Sequence, residues 1–262
     1  MPRANRTYLP GLIWHITHRC HDRRYLLQHT PQKQTWKKWL MESKQRYGLT
    51  VLDYTITDNH IHLLAYDGGK ESVIAPSMQL TEGQTAQRYN LVNKRTGAFW
   101  SDRYHATAVE TGDHLLKCLC YIDFNMVRAG AVSHPREWAW GGYCEIQGIR
   151  QRYCLVDTEL LAWLVGAENP KDLQRIHSRM IDAQLSKGGL KRDDCWTSSV
   201  AVGSSEFVRS IHERLNERLV VKSTTDEEKE MSLVKELEAP YSVFKEKRAS
   251  NLYRWALGDA PF

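Results

Sequence analysis

The sequence has no apolar run approaching the ~20 residues that cross a bilayer, which argues against a membrane-spanning helix. Its opening, MPRANRTYLPGLIWHITHRC, lacks the continuous apolar stretch and small-residue cleavage site of a secretory signal, so a cytoplasmic protein is expected. Six cysteines, Cys20, Cys118, Cys120, Cys144, Cys154 and Cys195, include no CxxC pair. That excludes a zinc ribbon and gives no disulfide framework, leaving reduced thiols, several of them buried. Internal repeats and low-complexity tracts are also missing, which sets aside solenoids.

What is present is an ordinary globular composition, 42% hydrophobic and 26% charged, long enough at 262 residues for a catalytic domain of about 150 residues plus an extension. The net charge of +5 fits a polyanionic partner but is too mild to prove one, so position must decide.

Between Leu12 and His18, and again from Thr50 to Tyr66, β-branched and aromatic residues alternate with polar ones, as in half-buried strands. Asp58-Asn59 breaks the second stretch into a hairpin. Between these stretches, Thr30-Pro31 starts a helix, Trp36, Trp39, Leu40 and Tyr47 recur at helical spacing, and Gly48 stops it. A second helix is expected from about Ser77 to Asn93, then an extended segment Phe99–Glu110, and a third helix from about Asp113 to Ala129. The order βαββαβα predicts an α+β fold, a ferredoxin-like antiparallel sheet with helices on one face, over residues 1–150. Beyond it, residues 151–262 read as a helical C-terminal extension of unknown role. Its expected helices are Leu160–Val165, Asp172–Leu185, Glu206–Val221 and Asp226–Glu238.

Chemistry concentrates in two places. In Asp58-Asn59-His60-Ile61-His62-Leu63-Leu64, residues two apart on a strand share a face, so His60 and His62 project together while Ile61 and Leu63 enter the core. Two imidazoles on one strand form half a metal site, although a bare His-x-His is more often two chance polar-face histidines. His15, His18 and His21 are spaced three apart, which does not put them on one strand face, and no metal role follows for them. The second place is Tyr121-Ile-Asp-Phe-Asn125-Met-Val-Arg128. On a helix Tyr121 and Asn125 stack on one face, and His114, Lys117 and Arg128 fall within roughly 40° of Tyr121. Leu115, Leu119, Ile122 and Met126 form a separate apolar arc. Standing alone, such a tyrosine would be a half-exposed ring on an amphipathic helix.

Together these motifs resemble the HUH single-tyrosine transposases, IS200-like, and most closely the REP-associated tyrosine transposase branch. The resemblance covers roughly residues 5 to 150. It includes Pro10-Gly11-Leu12-Ile13-Trp14-His15-Ile16-Thr17, the His-x-His block, Phe99-Trp100-Ser-Asp102-Arg103-Tyr104-His105, the Tyr121–Gly130 segment and Glu137-Trp138. Met126 departs from the branch, which often has proline there. The resemblance implies Tyr121 as catalytic nucleophile, with His60, His62 and Asn125 as ligands of Mg²⁺ or Mn²⁺. It also implies single-stranded DNA hairpins of REP type as partner, cut and rejoined through a 5′-phosphotyrosine. Lys94, Arg95, Arg103, Lys117 and Arg128 are candidate phosphate contacts, and Trp100 and Tyr104 candidate stacking platforms, as are Arg3, Arg6 and Tyr8 nearer the start. For each, a core aromatic or a solvated charge is the plainer reading. No membrane partner is expected, and either a monomer or a homodimer fits. The competing readings are a domesticated, non-catalytic DNA-binding protein, a water-using metal hydrolase, and a relaxase or replication initiator.

The strand register gives the first test. Ile61→Asp, which buries an unpaired carboxylate, is expected to cost about 4 kcal/mol or more in chemical denaturation, whereas His62→Ala should leave the fold in place. A well-folded Ile61→Asp protein beside an unfolded His62→Ala would mean the register is inverted.

Overall fold

A computed structural model describes residues 9–70, 73–187, 192–215, 219–223 and 232–236. Arg3, Arg6 and Tyr8, considered above as DNA contacts, lie outside these. The chain opens with β1 (Ile13–Arg19), α1 (Thr30–Tyr47), and the hairpin β2 (Thr50–Ile56) and β3 (His60–Tyr66). It continues with α2 (Ile74–Val92), β4 (His105–Val109), α3 (Asp113–Asp123) and α4 (Asn125–Arg128). Proline sits in the first turn of α1, and Gly48, at φ 72°, adopts the left-handed conformation that closes it, so both ends of α1 follow from its sequence.

In the sheet order β2-β3-β1-β4, every neighbouring pair is antiparallel, giving the ferredoxin-like α+β core expected from the βαββαβα pattern. The register fixes the two faces. Thr17 pairs His62, Thr55 pairs His62 from the other side, and His15 pairs both Leu64 and Thr107, so these side chains share one face. Ile16, Leu63 and Tyr54 belong to the other, with Ile61 and Ile16 fully buried. On that second face His18 meets Glu82 of α2 at 2.7 Å, and Trp36 of α1 packs near Tyr54. Helices do not stay on one face, however. α3 lies against the histidine face, where the Thr55 hydroxyl donates to Ile122 O at 3.4 Å, because its own apolar arc needs cover: Leu115, Leu119 and Ile122 are fully buried.

The later residues fold onto this core. A short α5 (Tyr143–Ile146), not expected from the sequence, precedes α6 (Thr158–Leu164) and α7 (Pro170–Lys187), which bear out the helical pattern of the early extension. After them come α8 (Cys195–Ser198), β5 (Ser199–Gly203), α9 (Ser205–Leu215), β6 (Leu219–Ser223) and β7 (Ser232–Glu236). β5 pairs parallel with β4, and β7 and β6 continue the sheet, giving the order β2-β3-β1-β4-β5-β7-β6. The extension is therefore not wholly helical. The helix expected over Glu206–Val221 stops at Leu215, and Ser232–Glu236, within the helix expected over Asp226–Glu238, is strand. The sequence there is rich in β-branched valine, which favours strand over helix, and Val221 is the register partner of Val234 in the β6–β7 ladder.

A buried pair ties α7 to α3. Gln147 donates to His177 Nδ1 at 3.0 Å, so His177 presents Nε2–H to Asp123 Oδ2 at 2.8 Å, with both side chains essentially inaccessible. All six cysteines are free thiols, and only Cys154 is not buried. Among the described residues no helix is long and apolar enough to cross a membrane.

Ending the chain at Gly148 would strip β5 from the edge of β4 and leave Asp123 buried without its imidazole, a loss of about 3 kcal/mol or more for the carboxylate alone. The expected result is an aggregating or broadly melting protein. A sharp thermal transition within a few degrees of the full chain's would show residues 149–262 to be dispensable for folding.

Candidate active site

Strand alternation places His60 and His62 on the α3 face of the sheet, their rings 5.1 Å apart and nearly perpendicular. The α3–α4 junction brings Asn125 against them: its side-chain amide lies 2.8 Å from His62 Nε2 and also hydrogen-bonds the His60 ring. One turn earlier on the same helical stripe, Tyr121 sits edge-on to His62 with ring centroids 5.8 Å apart. The tyrosine, the asparagine and the paired histidines, distant in sequence, thus meet at one point.

Each imidazole has a fixed orientation. Thr57 Oγ1 donates to His60 O at 2.8 Å, so at the ring it can only accept, and Asn59 Oδ1 is a second acceptor 2.7 Å from His60 Nδ1. The proton therefore sits on His60 Nδ1, and Nε2 carries the lone pair. Burial holds the His60 ring down at about 4, aided by Arg19 and Arg192, and puts His62 well below its ordinary value, aided by its two histidine neighbours. Both imidazoles are neutral at pH 7. Among the described residues no group of three His, Cys, Asp or Glu side chains is arranged to hold a metal. The Asn125 amide adds a different donor type beside the two rings, and two neutral imidazoles with an amide oxygen are a donor set of the kind that suits a divalent cation of intermediate hardness.

Tyr121 is only 8% exposed, and burial raises its phenol above the usual value. Arg128 opposes that rise. Its guanidinium lies 4.3 Å from the ring centroid and donates to Tyr121 O at 2.8 Å, holding the cation over the phenol. The group faces a cleft of about 650 Å³ lined by Thr17, Arg19, Asn59, His60, His62, Arg103, His105, Tyr121, Asn125, Arg128, Arg192 and Thr197, among others.

Of the residues singled out from sequence for nucleic-acid contact, Arg103 and Arg128 line this cleft. The others stand elsewhere. Lys117 is exposed outside the cleft lining, and Lys94 and Arg95 close the turn after α2, where Arg95 donates to Asn90 Oδ1 and Ala98 O. Trp100 stacks on His18 and donates to Glu82 O, and Tyr104 packs edge-on to His18, so both serve the core around α2. Arg19 and Arg192, which line the cleft, have no local motif. Arg19 was recoverable in principle, being two and four positions from Thr17 and His15 on the same strand face. Arg192 comes from the extension, and nothing in its sequence neighbourhood points to the cleft.

His15 is the other residue sequence reasoning set aside. It is fully buried behind His62, with Nε2 2.9 Å from His62 Nδ1 and Nδ1 2.9 Å from Trp196 O. Burial lowers its ring to about 3.

Residues 9–125 match the family described as Transposase IS200 like. No curated protein matches the chain at a significant level. Among solved structures, the chain is similar to a REP-associated tyrosine transposase bound to a REP hairpin, with 17% identity and a TM-score of 0.48 over 56% of this chain and 86% of that one. It is also similar to a chain from Deinococcus radiodurans R1 described as a candidate transposase, with 17% identity and a TM-score of 0.32 over 49% of this chain and 91% of that one.

The neutral histidines make the metal-free fold acid-sensitive. His15, at about 3, and His60, at about 4, both lie below the ordinary 6.5, so the unfolded chain takes up protons first as pH falls. Their stabilising contribution is complete above pH 6.5 and is lost as pH drops toward 4 and then 3. Thermal midpoints of the metal-free protein should fall between pH 6.5 and 4, and the slope should be shallower in His60→Gln. A flat profile for the parent protein would mean that these rings are not held neutral.

Proposed function

From the membership of residues 9–125 in the IS200-like transposase family, we propose that this protein cleaves and rejoins single-stranded, hairpin-forming DNA through a covalent phosphotyrosine. The observation that carries the reading is the convergence of Tyr121, Asn125, His60 and His62 on one cleft whose wall also bears Arg19, Arg103, Arg128 and Arg192. Phosphodiesters repel an incoming oxyanion, and a wall of guanidinium groups lowers that repulsion.

In the proposed reaction Tyr121 Oη attacks phosphorus. The new O–P bond forms as the bond to the 3′ oxygen breaks, leaving a 5′-phosphotyrosine and a 3′ hydroxyl. The phenol gives up one proton and the departing oxygen gains one, so the step is balanced without a nucleotide cofactor. Because the phosphotyrosine keeps the bond energy, a second 3′ hydroxyl can displace Tyr121 and reseal the strand. Arg128 acts on both partners: it favours the phenolate it stacks on and faces the same cleft as the incoming phosphate.

His60 Nε2, His62 Nε2 and the Asn125 side-chain oxygen would hold Mg²⁺ or Mn²⁺, which when bound polarises the phosphate. The sequence pattern supports this chemistry over the alternatives. A water-using hydrolase would leave the Tyr121–Asn125 stripe without purpose, and a silent DNA-binding protein would have no need to keep these four side chains together.

Tyr121→Phe retains the packing against His15 and His62 and removes only the attacking oxygen. Cleavage of a hairpin-forming oligonucleotide and the covalent adduct should both vanish while hairpin affinity stays within about threefold. His60→Ala and His62→Ala should abolish Mn²⁺-dependent cleavage with the fold intact. Nicking by purified Tyr121→Phe would sink the nucleophile assignment.

A further inference from the structure

His15 belongs to no motif that accounts for its burial, and its ring nitrogens face two very different partners. Trp196 O, 2.9 Å from His15 Nδ1, can only accept a hydrogen bond, so Nδ1 carries a proton. A second proton on Nε2 would make His15 a cation at complete burial, and would put two donors face to face at His62 Nδ1 if that nitrogen were also protonated. His15 Nε2 therefore holds a lone pair, and it lies 2.9 Å from His62 Nδ1, which must donate to it. In a neutral His62 that leaves Nε2 unprotonated, and Nε2 is the atom facing Asn125 at 2.8 Å. The chain of donors runs one way, from His62 through His15 to a backbone carbonyl of α8.

We propose that His15 is a positioning residue that fixes His62 in the tautomer able to bind a divalent cation, and that the Trp196 carbonyl of the C-terminal extension sets its direction. The proposal rests on the reading of His60, His62 and Asn125 as metal ligands. The two ring planes lie 11° apart with centroids 5.1 Å apart, the edge-to-edge arrangement that a ring-to-ring N–H···N bond needs, and this and the adjoining seam support it. Thr107 donates to Ser199 O at 2.6 Å and His105 Nε2 lies 2.9 Å from the same oxygen, so the 196–199 backbone satisfies the buried polar side chains of β1 and β4 together. The extension then supports the metal site from two hydrogen bonds away, through His15 to His62.

The test uses the full chain. Nitrogen-15 imidazole spectra of the metal-free protein should show His62 as the Nδ1–H tautomer; finding Nε2–H overturns the proposal without any variant. His15→Leu should weaken Mn²⁺ binding, followed by electron paramagnetic resonance of free Mn²⁺, by about 10- to 100-fold, and should return His62 to a mixture of tautomers. His15→Gln, whose amide can donate to Trp196 O and accept from His62 Nδ1, should hold Mn²⁺ within about threefold of the parent. Hairpin affinity without metal should be unchanged in both. Equal Mn²⁺ affinity in parent and folded His15→Leu, or a folded His15→Gln as weak as His15→Leu, overturns it. Should His15→Leu fail to fold, the parent tautomer and His15→Gln decide. If His62→Ala itself leaves Mn²⁺ affinity untouched, the ligand assignment falls and the positioning role with it, which separates that failure from a fault in His15 alone.

Discussion

Side-chain alternation along β3 is the constraint on which the site depends. His60, His62 and Leu64 face α3, while Ile61, Leu63 and Ala65 are driven into the core by full burial, so a one-residue slip would exchange imidazoles for hydrophobes. The slip is prevented from both sides, because β3 is a central strand paired with β1 and β2 over nearly its whole length. Helix α3 then has one way to settle. Its apolar arc goes down against the sheet, and the stripe carrying Tyr121 and Asn125 is turned toward the imidazoles. The geometry of this cluster is thus a by-product of hydrophobic burial in two elements.

That arrangement has a cost, which the later part of the chain offsets. The α3 face of the sheet carries His15, Thr107 and His105, polar groups that a plain helix-covered sheet would leave unsatisfied. Backbone carbonyls at Trp196 and Ser199 accept from them, and His177 supplies a donor to Asp123, two residues beyond Tyr121. Burying a donor without an acceptor costs on the order of 1 to 3 kcal/mol, so these contacts are worth more to the fold than their net hydrogen-bond energy suggests. They also show how the later segment is tied to the polar face of the sheet. It closes the polar side of the core.

Much of the first 130 residues was legible because its signals are local. Pro31 and Gly48 bound α1, Asp58-Asn59 turns the hairpin, and helical spacing puts Tyr121 beside Asn125. Non-local pairing was not legible. His15 lies 47 residues from His62 and 181 from the carbonyl of Trp196, and no periodicity connects positions so distant. The same holds for β5, whose partner β4 ends ninety residues earlier, and for Leu219–Ser223, whose helical appearance in sequence gives way to ladder pairing. Helical azimuth also misleads about reach. Lys117 shares the Tyr121 stripe but sits a turn nearer the N-terminus of α3, where the side chain meets solvent and not the cleft.

The charges of the cleft give the last step. Arg19, Arg103, Arg128 and Arg192 come from β1, the loop before β4, α4 and the extension, so four separate pieces of chain deliver guanidinium groups to one cavity. Such a cluster opposes folding: burial and the neighbouring Arg192 and Arg23 lower Arg19, and Arg192 also lowers Arg128, each cation making the next harder to keep. Asp194, 2.8 Å from Arg192, relieves that member of the cluster. A polyanion entering the cleft would relieve the others and release its own counterions, turning a standing electrostatic strain into binding free energy. Because Arg128 lies over the Tyr121 ring and lines the same cleft, an anion that neutralises the cluster is drawn to the wall on which that ring sits. The cations and the Tyr121 ring thus share one surface, and the paired histidines of β3 complete its polar lining.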